Sequence, residues 1–465
     1  MADELIITVS GLRGIVGKNL TAEVAAAYGR AFGAFLRNQP AGASGPLAVC
    51  LGRDSRPSGQ TLAAAVSAGL VAAGINVIDL GLVTTPSVGI MVRHFNCAGG
   101  VVITASHNPS EYNGIKLLLD NGMAPPPETA ETIKNLFLNK KFTSLESPLG
   151  KITGNDQANA VHISKVLKTI DPKIISAKKF TVVLDSINGA GGRPGVKLLT
   201  ALGCKIVMLN NEPTGLFAHP PEPTAENLTG LCKAVKENNA DVGFAQDPDA
   251  DRLAIVDEAG RYIGEEYTLA LAAKLIFSQK TDAACGEPGR TAATNLSTSR
   301  MIDDIAAAAG GRVIRTPVGE ANVAMAMLKN NCVIGGEGNG GVIDLRVGPI
   351  RDSLVAIAFV LQLMAQTGKT VSQLCSEIPA CYMTKQKFPA DKKKVAALLD
   401  AAKRLFPEAK LNTTDGCRFD LPDAWLHIRA SNTEPIVRII AEAKDRQTAQ
   451  KYIDAVLNTK KKSAD

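Results

Sequence analysis

A candidate nucleophile follows an apolar run near the end of the first quarter of the chain. Residues 101–103 are β-branched and lead through a short polar segment to Ser106, His107 and Pro109. Pro109 cannot donate a ladder hydrogen bond, so the pattern predicts a buried strand that ends before a loop carrying Ser106. Chemistry in α/β proteins is placed at this end of the strands, and Lys116, one loop further on, could adjust the serine's proton or hold an anion. The same residue types also occur in ordinary strand-ending turns.

Three carboxylates at alternate positions form a second candidate site. Asp247, Asp249 and Asp251 lie between the apolar runs 242–245 and 253–256. Alternate side chains of an extended loop share one side, so their oxygens suit a hard divalent cation such as Mg²⁺, without which the charges would repel one another. With Glu258 these residues match EF-hand spacing, but Arg252 stands where that loop requires glycine and the flanks are strands. An EF-hand is therefore excluded.

Two later loops could recognise a sugar and a phosphate. Residues 335–341 are rich in glycine, and Glu337 and Asn339 offer groups that suit sugar hydroxyls, although the spacing matches neither nucleotide-binding glycine motif. Residues 428–438 predict a strand, a tight loop and a strand, which is either a phosphate cradle or an ordinary turn. The polar side chains of that segment are Arg429, Ser431, Asn432, Thr433 and Arg438. Near the start, Arg13 lies between two glycines, in a segment that could equally be a simple turn.

The elements that must position these loops recur in the sequence. A pattern of apolar strand, Gly/Ser-rich loop, Ala/Leu-rich helix, glycine and second apolar strand begins near positions 47, 181 and 291. A helix between two apolar strands is a βαβ unit, so the pattern predicts three similar α/β domains with largely parallel sheets. The last hundred residues lose the repeat and predict an α+β domain. The expected limits are 1–150, 151–257, 258–370 and 371–465.

Composition excludes several classes of protein. The chain has 465 residues, 45% of them hydrophobic, which is enough for several cores because single cores stop growing at about 250–300 residues. Nine scattered cysteines without a CxxC pair indicate buried thiols rather than zinc ligands or disulfides. A net charge of +6 suits anionic ligands, but interspersed charges and only 4% aromatic residues argue against nucleic acid. No targeting segment or membrane span is evident, so a cytoplasmic protein is expected.

The four loops, in this order and one per domain, resemble those of the α-D-phosphohexomutase superfamily, which includes phosphoglucosamine mutases and phosphomannomutase/phosphoglucomutases. The resemblance covers essentially the whole chain and depends most on residues 104–109 and 247–252. It implies three α/β domains of mixed, largely parallel sheets and a C-terminal α+β domain, arranged around a central cleft. It also implies Mg²⁺, a hexose phosphate substrate and a hexose 1,6-bisphosphate intermediate, and leaves the oligomeric state open.

The resemblance assigns roles to individual residues. Ser106 would carry a phosphoryl group, and the three aspartates would hold Mg²⁺ together with it. Arg13, Lys116 and Arg252 would flank the transferring group, with Lys116 a candidate general acid/base, and His107 would orient the loop or the phosphate because neighbouring side chains on an extended chain point apart. Glu337 and Asn339 would read the sugar hydroxyls. The distal phosphate would be bound by Arg429, Ser431, Asn432, Thr433 and Arg438.

The third loop departs from a form common in bacterial members, Glu-x-Ser-Gly-His. Asn339 stands in place of serine and Gly341 in place of histidine. The last loop favours phosphomannomutase/phosphoglucomutase relatives, whereas residues 316–319 with the third loop favour phosphoglucosamine mutases. Glucosamine 6-phosphate is the expected substrate, with mannose or glucose phosphates as the alternative. A non-catalytic sugar-phosphate sensor and a phosphatase-like hydrolase are the alternatives from other classes.

Overall fold

The computed structural model describes residues 5–9, 11–39, 47–140, 148–279, 290–430 and 436–458, and four β-sheets follow one another along these ranges. The first sheet has seven strands in the order β1-β2-β6-β5-β3-β4-β7. The strands β3, β4, β5 and β7 run parallel, whereas β1, β2 and β6 pair antiparallel. Its elements are β1 (Ile6–Thr8), β2 (Gly11–Ile15), α1 (Ala22–Arg37), β3 (Ala48–Arg53), α2 (Gly59–Ala72), β4 (Asn76–Leu82), α3 (Thr85–His94), β5 (Gly99–Ile103), β6 (Tyr112–Leu119), α4 (Pro127–Leu138) and β7 (Ile152–Gly154).

The second sheet has four strands in the order β11-β10-β8-β9, of which only β11 is antiparallel to its neighbour. The hairpin β10–β11 carries the acidic loop between its strands. The elements are α5 (Ala158–Leu167), α6 (Pro172–Lys178), β8 (Thr181–Asp185), α7 (Gly192–Ala201), β9 (Lys205–Leu209), α8 (Thr229–Glu237), β10 (Val242–Gln246) and β11 (Leu253–Val256).

The third sheet repeats this plan in the order β13-β12-β14-β15, again with one antiparallel edge strand. Its last helix is buried almost throughout, begins after the cap residue Asp352 and ends at Gly368, which has a φ of 68°. A helix that is apolar on all sides must be buried on all sides. The elements are α9 (Glu266–Ser278), β12 (Thr291–Asn295), α10 (Met301–Ala308), β13 (Arg312–Thr316), α11 (Glu320–Lys329), β14 (Ile334–Glu337), β15 (Gly341–Ile343) and α12 (Ser353–Thr367).

The fourth sheet is entirely antiparallel, in the order β16-β20-β19-β18-β17. The apolar residues of β18, β19 and β20 pack against two amphipathic helices, which form one side of this layer. The elements are α13 (Val371–Ser376), β16 (Tyr382–Pro389), α14 (Lys392–Leu405), β17 (Lys410–Asn412), β18 (Cys417–Asp420), β19 (Ala424–Ala430), β20 (Ile436–Ala443) and α15 (Arg446–Asn458).

The fold class expected from the sequence is confirmed. Each predicted βαβ repeat forms a parallel pair: Val49 lies opposite Val77, Val182 opposite Ile206, and Ala293 opposite Ile314. The domain limits stay predictions, but β7 pairs with β4, so the first sheet itself includes residues 152–154. Among the helices within the described ranges, none is long and apolar enough to cross a membrane.

Candidate active site

Ser106 lies three residues beyond the fully buried strand β5, as the sequence predicts. Its backbone has a φ of 50°, a left-handed conformation that is uncommon outside glycine and that tends to occur at functional sites. The main-chain N–H of Ser106 donates to Oγ1 of Thr104 at 2.9 Å, and that hydroxyl donates to Oδ2 of the buried Asp54 at 2.7 Å. The loop is therefore tied back to the end of β3.

His107 lies closer to the serine than the sequence suggested. Nδ1 of His107 is 3.3 Å from Oγ of Ser106, because the left-handed turn at Ser106 brings together neighbouring side chains that would point apart on an extended chain. The positive charge of Arg252, burial and the charge of Arg13 lower the pKa of His107 to about 2. The imidazole is therefore neutral and has one ring nitrogen that can accept a hydrogen bond.

The acidic loop joins β10 to β11 and lies beside the serine. One oxygen from each of the buried Asp247, Asp249 and Asp251 lies within 4.8 Å of the other two. Oγ of Ser106 donates to Oδ2 of Asp247 at 3.0 Å. Burial, followed by the negative charges of Asp251 and Asp249, raises the pKa of Asp247 well above 3.8.

Two oxygens of this loop have no hydrogen-bond partner. Oδ1 of Asp249 and Oδ1 of Asp251 are buried and unpaired among the described residues. Buried polar atoms are normally satisfied, and carboxylate oxygens are the ligands that Mg²⁺ prefers in proteins. The residues present therefore fit a divalent cation.

Lys116 contacts the acidic loop directly from β6. Its Nζ lies 2.6 Å from Oδ2 of Asp249 and 3.4 Å from Oδ2 of Asp251. Burial opposes the charge on Lys116, but the two carboxylates outweigh burial and raise the pKa of the ammonium group. Lys116 is therefore protonated, and it lines the same cavity as Ser106.

Two arginines complete the surroundings of the serine. Nη1 of Arg13 donates to Oδ1 of Asn108 in the serine loop at 2.8 Å. Nε of Arg252 is buried and lies 3.8 Å from Oδ1 of Asp251, too far for a hydrogen bond. Both side chains line a cleft that consists of two adjoining cavities of about 470 and 530 Å³. The arrangement can bind an anion next to Ser106.

The glycine-rich loop faces the same cleft from the third sheet. Glu337, at the end of β14, accepts at Oε1 from Nδ2 of Asn295 at 2.8 Å and from the N–H of Gly319 at 3.1 Å. Asn339 lines both cavities, and its buried Oδ1 has no partner among the described residues. A ligand with hydroxyl groups would satisfy that oxygen.

The fourth sheet contributes two arginines. Arg429 and Arg438 lie directly opposite each other on β19 and β20, and both line the two cavities. Nε of Arg429 lies 3.1 Å from Oδ2 of Asp415, which also accepts from the N–H of Val318 at 3.0 Å. Like charges opposite each other repel, so an anion between them would be favoured. The predicted residues Ser431, Asn432 and Thr433 lie outside the described ranges.

Arg56 holds the serine loop in place, and the sequence reasoning missed it. It is fully buried between Asp54, whose Oδ2 lies 3.1 Å from Nε, and the ring of Phe217, whose centroid is 4.9 Å from Cζ. The feature of the sequence that could have revealed Arg56 is an arginine in the loop after β3, since β3 pairs with β5, the strand before the serine loop. The guanidinium donates to main-chain carbonyl oxygens of Ser106 (2.7 Å), Asn108 (2.7 Å), Pro109 (2.7 Å) and Tyr112 (3.0 Å).

A contact between the third and fourth sheets was also missed. Nζ of Lys385 on β16 lies 2.6 Å from Oε1 of Glu265 and 3.4 Å from Oε1 of Glu266. Burial raises the pKa of Glu266 to about 8; the charge of Lys385 opposes this shift and that of Glu265 adds to it. These three side chains line the larger cavity, so the fourth sheet contributes charge to the cleft beyond its two arginines.

Comparisons with known proteins agree with this arrangement. Residues 5–144, 160–260 and 264–382 match the phosphoglucomutase/phosphomannomutase alpha/beta/alpha domains I, II and III, and residues 383–459 match the C-terminal domain. A phosphoglucomutase/phosphomannomutase of Thermococcus kodakarensis is 40% identical over 96% of both chains. A protein of Methanopyrus kandleri named probable phosphoglucosamine mutase is 35% identical over 96% of this chain and 95% of its own.

A solved structure agrees in fold over the whole chain. A phosphoglucomutase/phosphomannomutase family protein of Burkholderia thailandensis superposes with a TM-score of 0.84 at 28% identity, covering 98% of this chain and 97% of its own. The site residues lie on all four matched domains. The chain therefore belongs to the phosphoglucomutase/phosphomannomutase family of α-D-phosphohexomutases and is an isomerase.

Proposed function

We propose that this protein interconverts hexose 6-phosphates and hexose 1-phosphates through a phosphoryl group carried on Ser106. The observation that carries the proposal is the 3.0 Å contact between Oγ of Ser106 and Oδ2 of Asp247, within a carboxylate cluster that has unpaired oxygens. A phosphorylated Ser106 would place its negative charge against those carboxylates, so a cation is needed between them.

Asp247, Asp249 and Asp251 would hold Mg²⁺ together with the phosphorylated serine. When bound, Mg²⁺ supplies positive charge that neutralises the transferring phosphoryl oxygens. Arg13 and Arg252 bind the same oxygens from the cleft side.

Lys116 would give a proton to the serine oxygen as the phosphoryl group leaves it and would take up the proton that the attacking sugar hydroxyl loses; its contact with Asp249 and its raised pKa support this role. The neutral His107 orients the serine oxygen through its 3.3 Å contact.

The reaction would consist of two chemically similar half-reactions, and the bisphosphate intermediate would rotate between them. The phosphorylated serine transfers its group to the free hydroxyl of the hexose phosphate, which gives a hexose 1,6-bisphosphate. After the bisphosphate has turned end over end, Ser106 takes the other phosphoryl group, and the isomeric monophosphate leaves. In both orientations Glu337 and Asn339 read the sugar hydroxyls. The distal phosphate binds Arg429, Ser431, Asn432, Thr433 and Arg438.

Glucosamine 6-phosphate is the substrate we propose first. The larger cavity is lined by four carboxylic side chains that offer hydrogen-bond acceptors for the amino group of such a sugar, among four arginines and Lys385: Glu222, Glu265, Glu266 and Glu337. The second candidate is a phosphoglucomutase/phosphomannomutase activity, favoured by the relative that is 40% identical and carries that name. We place the enzyme in the cytoplasm, with no nucleic acid or membrane as partner.

The test combines mass measurement with a substrate comparison. The intact wild-type protein, incubated with hexose 1,6-bisphosphate and Mg²⁺, should gain one phosphoryl group on Ser106, and Ser106→Ala should neither gain it nor turn over substrate. Glucosamine 6-phosphate, mannose 6-phosphate and glucose 6-phosphate should be assayed side by side with a trace of the matching bisphosphate. Release of inorganic phosphate without isomerisation would indicate a hydrolase, and binding without turnover would indicate a sensor.

A further inference from the structure

One guanidinium group, that of Arg351, contacts carboxylates from three separate segments. Nη2 lies 2.7 Å from Oδ2 of Asp251 in the acidic loop, and Nη1 lies 2.9 Å from Oε2 of Glu337 in the glycine-rich loop. Nε lies 2.7 Å from Oε2 of Glu320 at the start of α11. Only 11% of the Arg351 side chain is exposed, so these three contacts account for its position. The acidic loop and the glycine-rich loop are therefore both bound to the guanidinium group of Arg351.

The backbone that carries this guanidinium is itself fixed. The neighbouring Asp352 caps α12, because its Oδ1 accepts from the N–H of Leu354 at 2.8 Å. Its Oδ2 lies 2.6 Å from Nε2 of the buried His162, whose Nδ1 lies 2.9 Å from Oγ of Ser87. Elements of the first three sheets thus meet at this point. Arg351 therefore projects from a backbone bonded to several elements, among them the acidic loop, since the N–H of Ser353 donates to the carbonyl oxygen of Ala250 at 3.3 Å.

The glycine-rich loop is shaped around the same side chain. A Cβ atom at Gly341 would lie 2.2 Å from Cδ and 2.8 Å from Cγ of Arg351. These atoms cannot move aside easily, because the guanidinium beyond them is held by three carboxylates. A side chain at position 341, where the sequence departs from histidine, would therefore collide with Arg351.

We propose that Arg351 is a positioning residue that sets the acidic loop and the glycine-rich loop in one mutual geometry, so that cation affinity and sugar discrimination depend on the same side chain. The pairing with Oδ2 of Asp251 leaves Oδ1, which has no hydrogen-bond partner among the described residues, for the cation. The pairing with Oε2 of Glu337 fixes the carboxylate that faces the sugar. The part of this inference that concerns sugar discrimination rests on the proposed function, whereas the part that concerns cation affinity does not.

Arg351→Lys is the first test, because lysine keeps the charge but cannot bridge two carboxylates with a planar fork. Calorimetric titration with Mg²⁺ alone should show a dissociation constant about 10- to 100-fold higher than in the wild type, as expected when a group that orients a metal ligand is lost. The ratio of kcat/KM for glucose 6-phosphate to that for mannose 6-phosphate should change by at least about fivefold.

Arg346→Lys is the matched control, since Arg346 pairs with Asp344 on a neighbouring segment and 48% of its side chain is exposed. Arg346→Lys should leave the Mg²⁺ dissociation constant and the ratio of kcat/KM values unchanged. A folded Arg351→Lys protein in which either quantity equals the wild-type value overturns the proposal.

Gly341→Ala gives an independent route if Arg351→Lys does not fold. The new Cβ displaces Arg351 without removing any charge, so the Mg²⁺ dissociation constant and the ratio of kcat/KM values should both change. A folded Gly341→Ala protein with wild-type Mg²⁺ affinity would contradict the inference.

Glu337→Gln supplies a readout that needs no turnover. The glycine-rich loop contains none of the three aspartates of the acidic loop. Even so, Glu337→Gln should shift Mg²⁺ affinity by at least about fivefold when Arg351 is present, and should not shift it when it is combined with Arg351→Lys. An equal shift in both backgrounds would mean that Arg351 does not transmit the effect. Failure of the wild type to isomerise any sugar, with the Mg²⁺ results as expected, would refute the proposed function alone.

Discussion

The hydroxyl oxygen of Ser106 lies 3.0 Å from Oδ2 of Asp247, although the two residues are 141 positions apart and follow strands of different sheets. Each loop is short, and each is positioned by the strand before it. The contact therefore depends on how the first two sheets are held together.

Replacing Arg56 with lysine should lower kcat about 100-fold with a smaller change in KM. Lysine keeps a charge for Asp54 but cannot donate to four carbonyl oxygens at once, and a displacement of about 1 Å in the serine loop costs this much in rate. Steady-state kinetics on the proposed substrates gives both constants. Arg53→Lys, which changes an arginine that donates only to the carbonyl of Asp54 among the contacts observed, is the control. Equal kcat in the two variants would mean that Arg56 does not set the serine geometry.

Removing divalent cations should lower the thermal stability of the wild type, and Mg²⁺ should restore it. At 100 times its dissociation constant, a cation that binds only the folded chain adds about 2.7 kcal/mol. Asp247→Asn should respond little to Mg²⁺ and, in chelator, should unfold at a higher temperature than the wild type, because one of three crowded charges is gone. Thermal unfolding with chelator and with Mg²⁺ measures both effects. A Mg²⁺ response in Asp247→Asn equal to that of the wild type would place the cation elsewhere.

Glu266→Gln should stabilise the protein at high pH. The folded-state pKa of Glu266 is raised from 4.5 to about 8, so its favourable contribution is complete below pH 4.5 and is lost as the pH rises through about 8. The variant has no such loss, and its advantage over the wild type should grow by on the order of 1–3 kcal/mol between pH 6 and pH 9. Urea unfolding at both pH values tests this.

Glu265→Gln is the comparison for that experiment, because it removes the other acidic partner of Lys385 and leaves Glu266 in place. The decline of stability with pH should persist in this variant. If Glu266→Gln declines as steeply as the wild type, Glu266 is not the titrating group.

Asp415→Asn should raise KM for the hexose phosphate about tenfold while kcat changes little. The amide can still accept from the N–H of Val318 but cannot form the ion pair that orients Arg429, and a hydrogen bond to a charged group contributes about 1.5–3 kcal/mol. Asp420→Asn removes a comparable pair with Arg418 in the same sheet and should leave KM unchanged. A lower kcat at constant KM in Asp415→Asn would assign Asp415 to the chemical step instead.

Local patterns were sufficient to predict the loops. The β-branched run before Ser106, the alternating aspartates and the βαβ repeats all depend on neighbouring residues, and each lies where the sequence placed it. The orientation of His107 was not predictable in this way. It depends on one dihedral angle at Ser106, in a loop whose carbonyl oxygens accept hydrogen bonds from Arg56, about fifty positions away.

The groups that join the sheets could not be read from the sequence. Arg56, Arg351 and Asp415 lie in loops and Lys385 lies on β16, and each contacts groups that are distant in the chain. Arg56 is visible in the sequence only as an arginine in the loop after β3, and Arg351 left an indirect trace. Gly341 is a glycine where a larger residue was expected, and the structure shows Arg351 in the space beside it.

The hydrogen bonds from Arg56 affect which positions of the serine loop can vary in sequence. All four acceptors in the serine loop and the strand after it are main-chain oxygens, which every amino acid possesses. Substitutions at positions 108, 109 and 112 therefore leave these acceptors in place, whereas a change at position 56 removes all four bonds together. Mutational tolerance should accordingly be unevenly distributed, with the strictest requirement at a residue that is about fifty positions from the serine it supports.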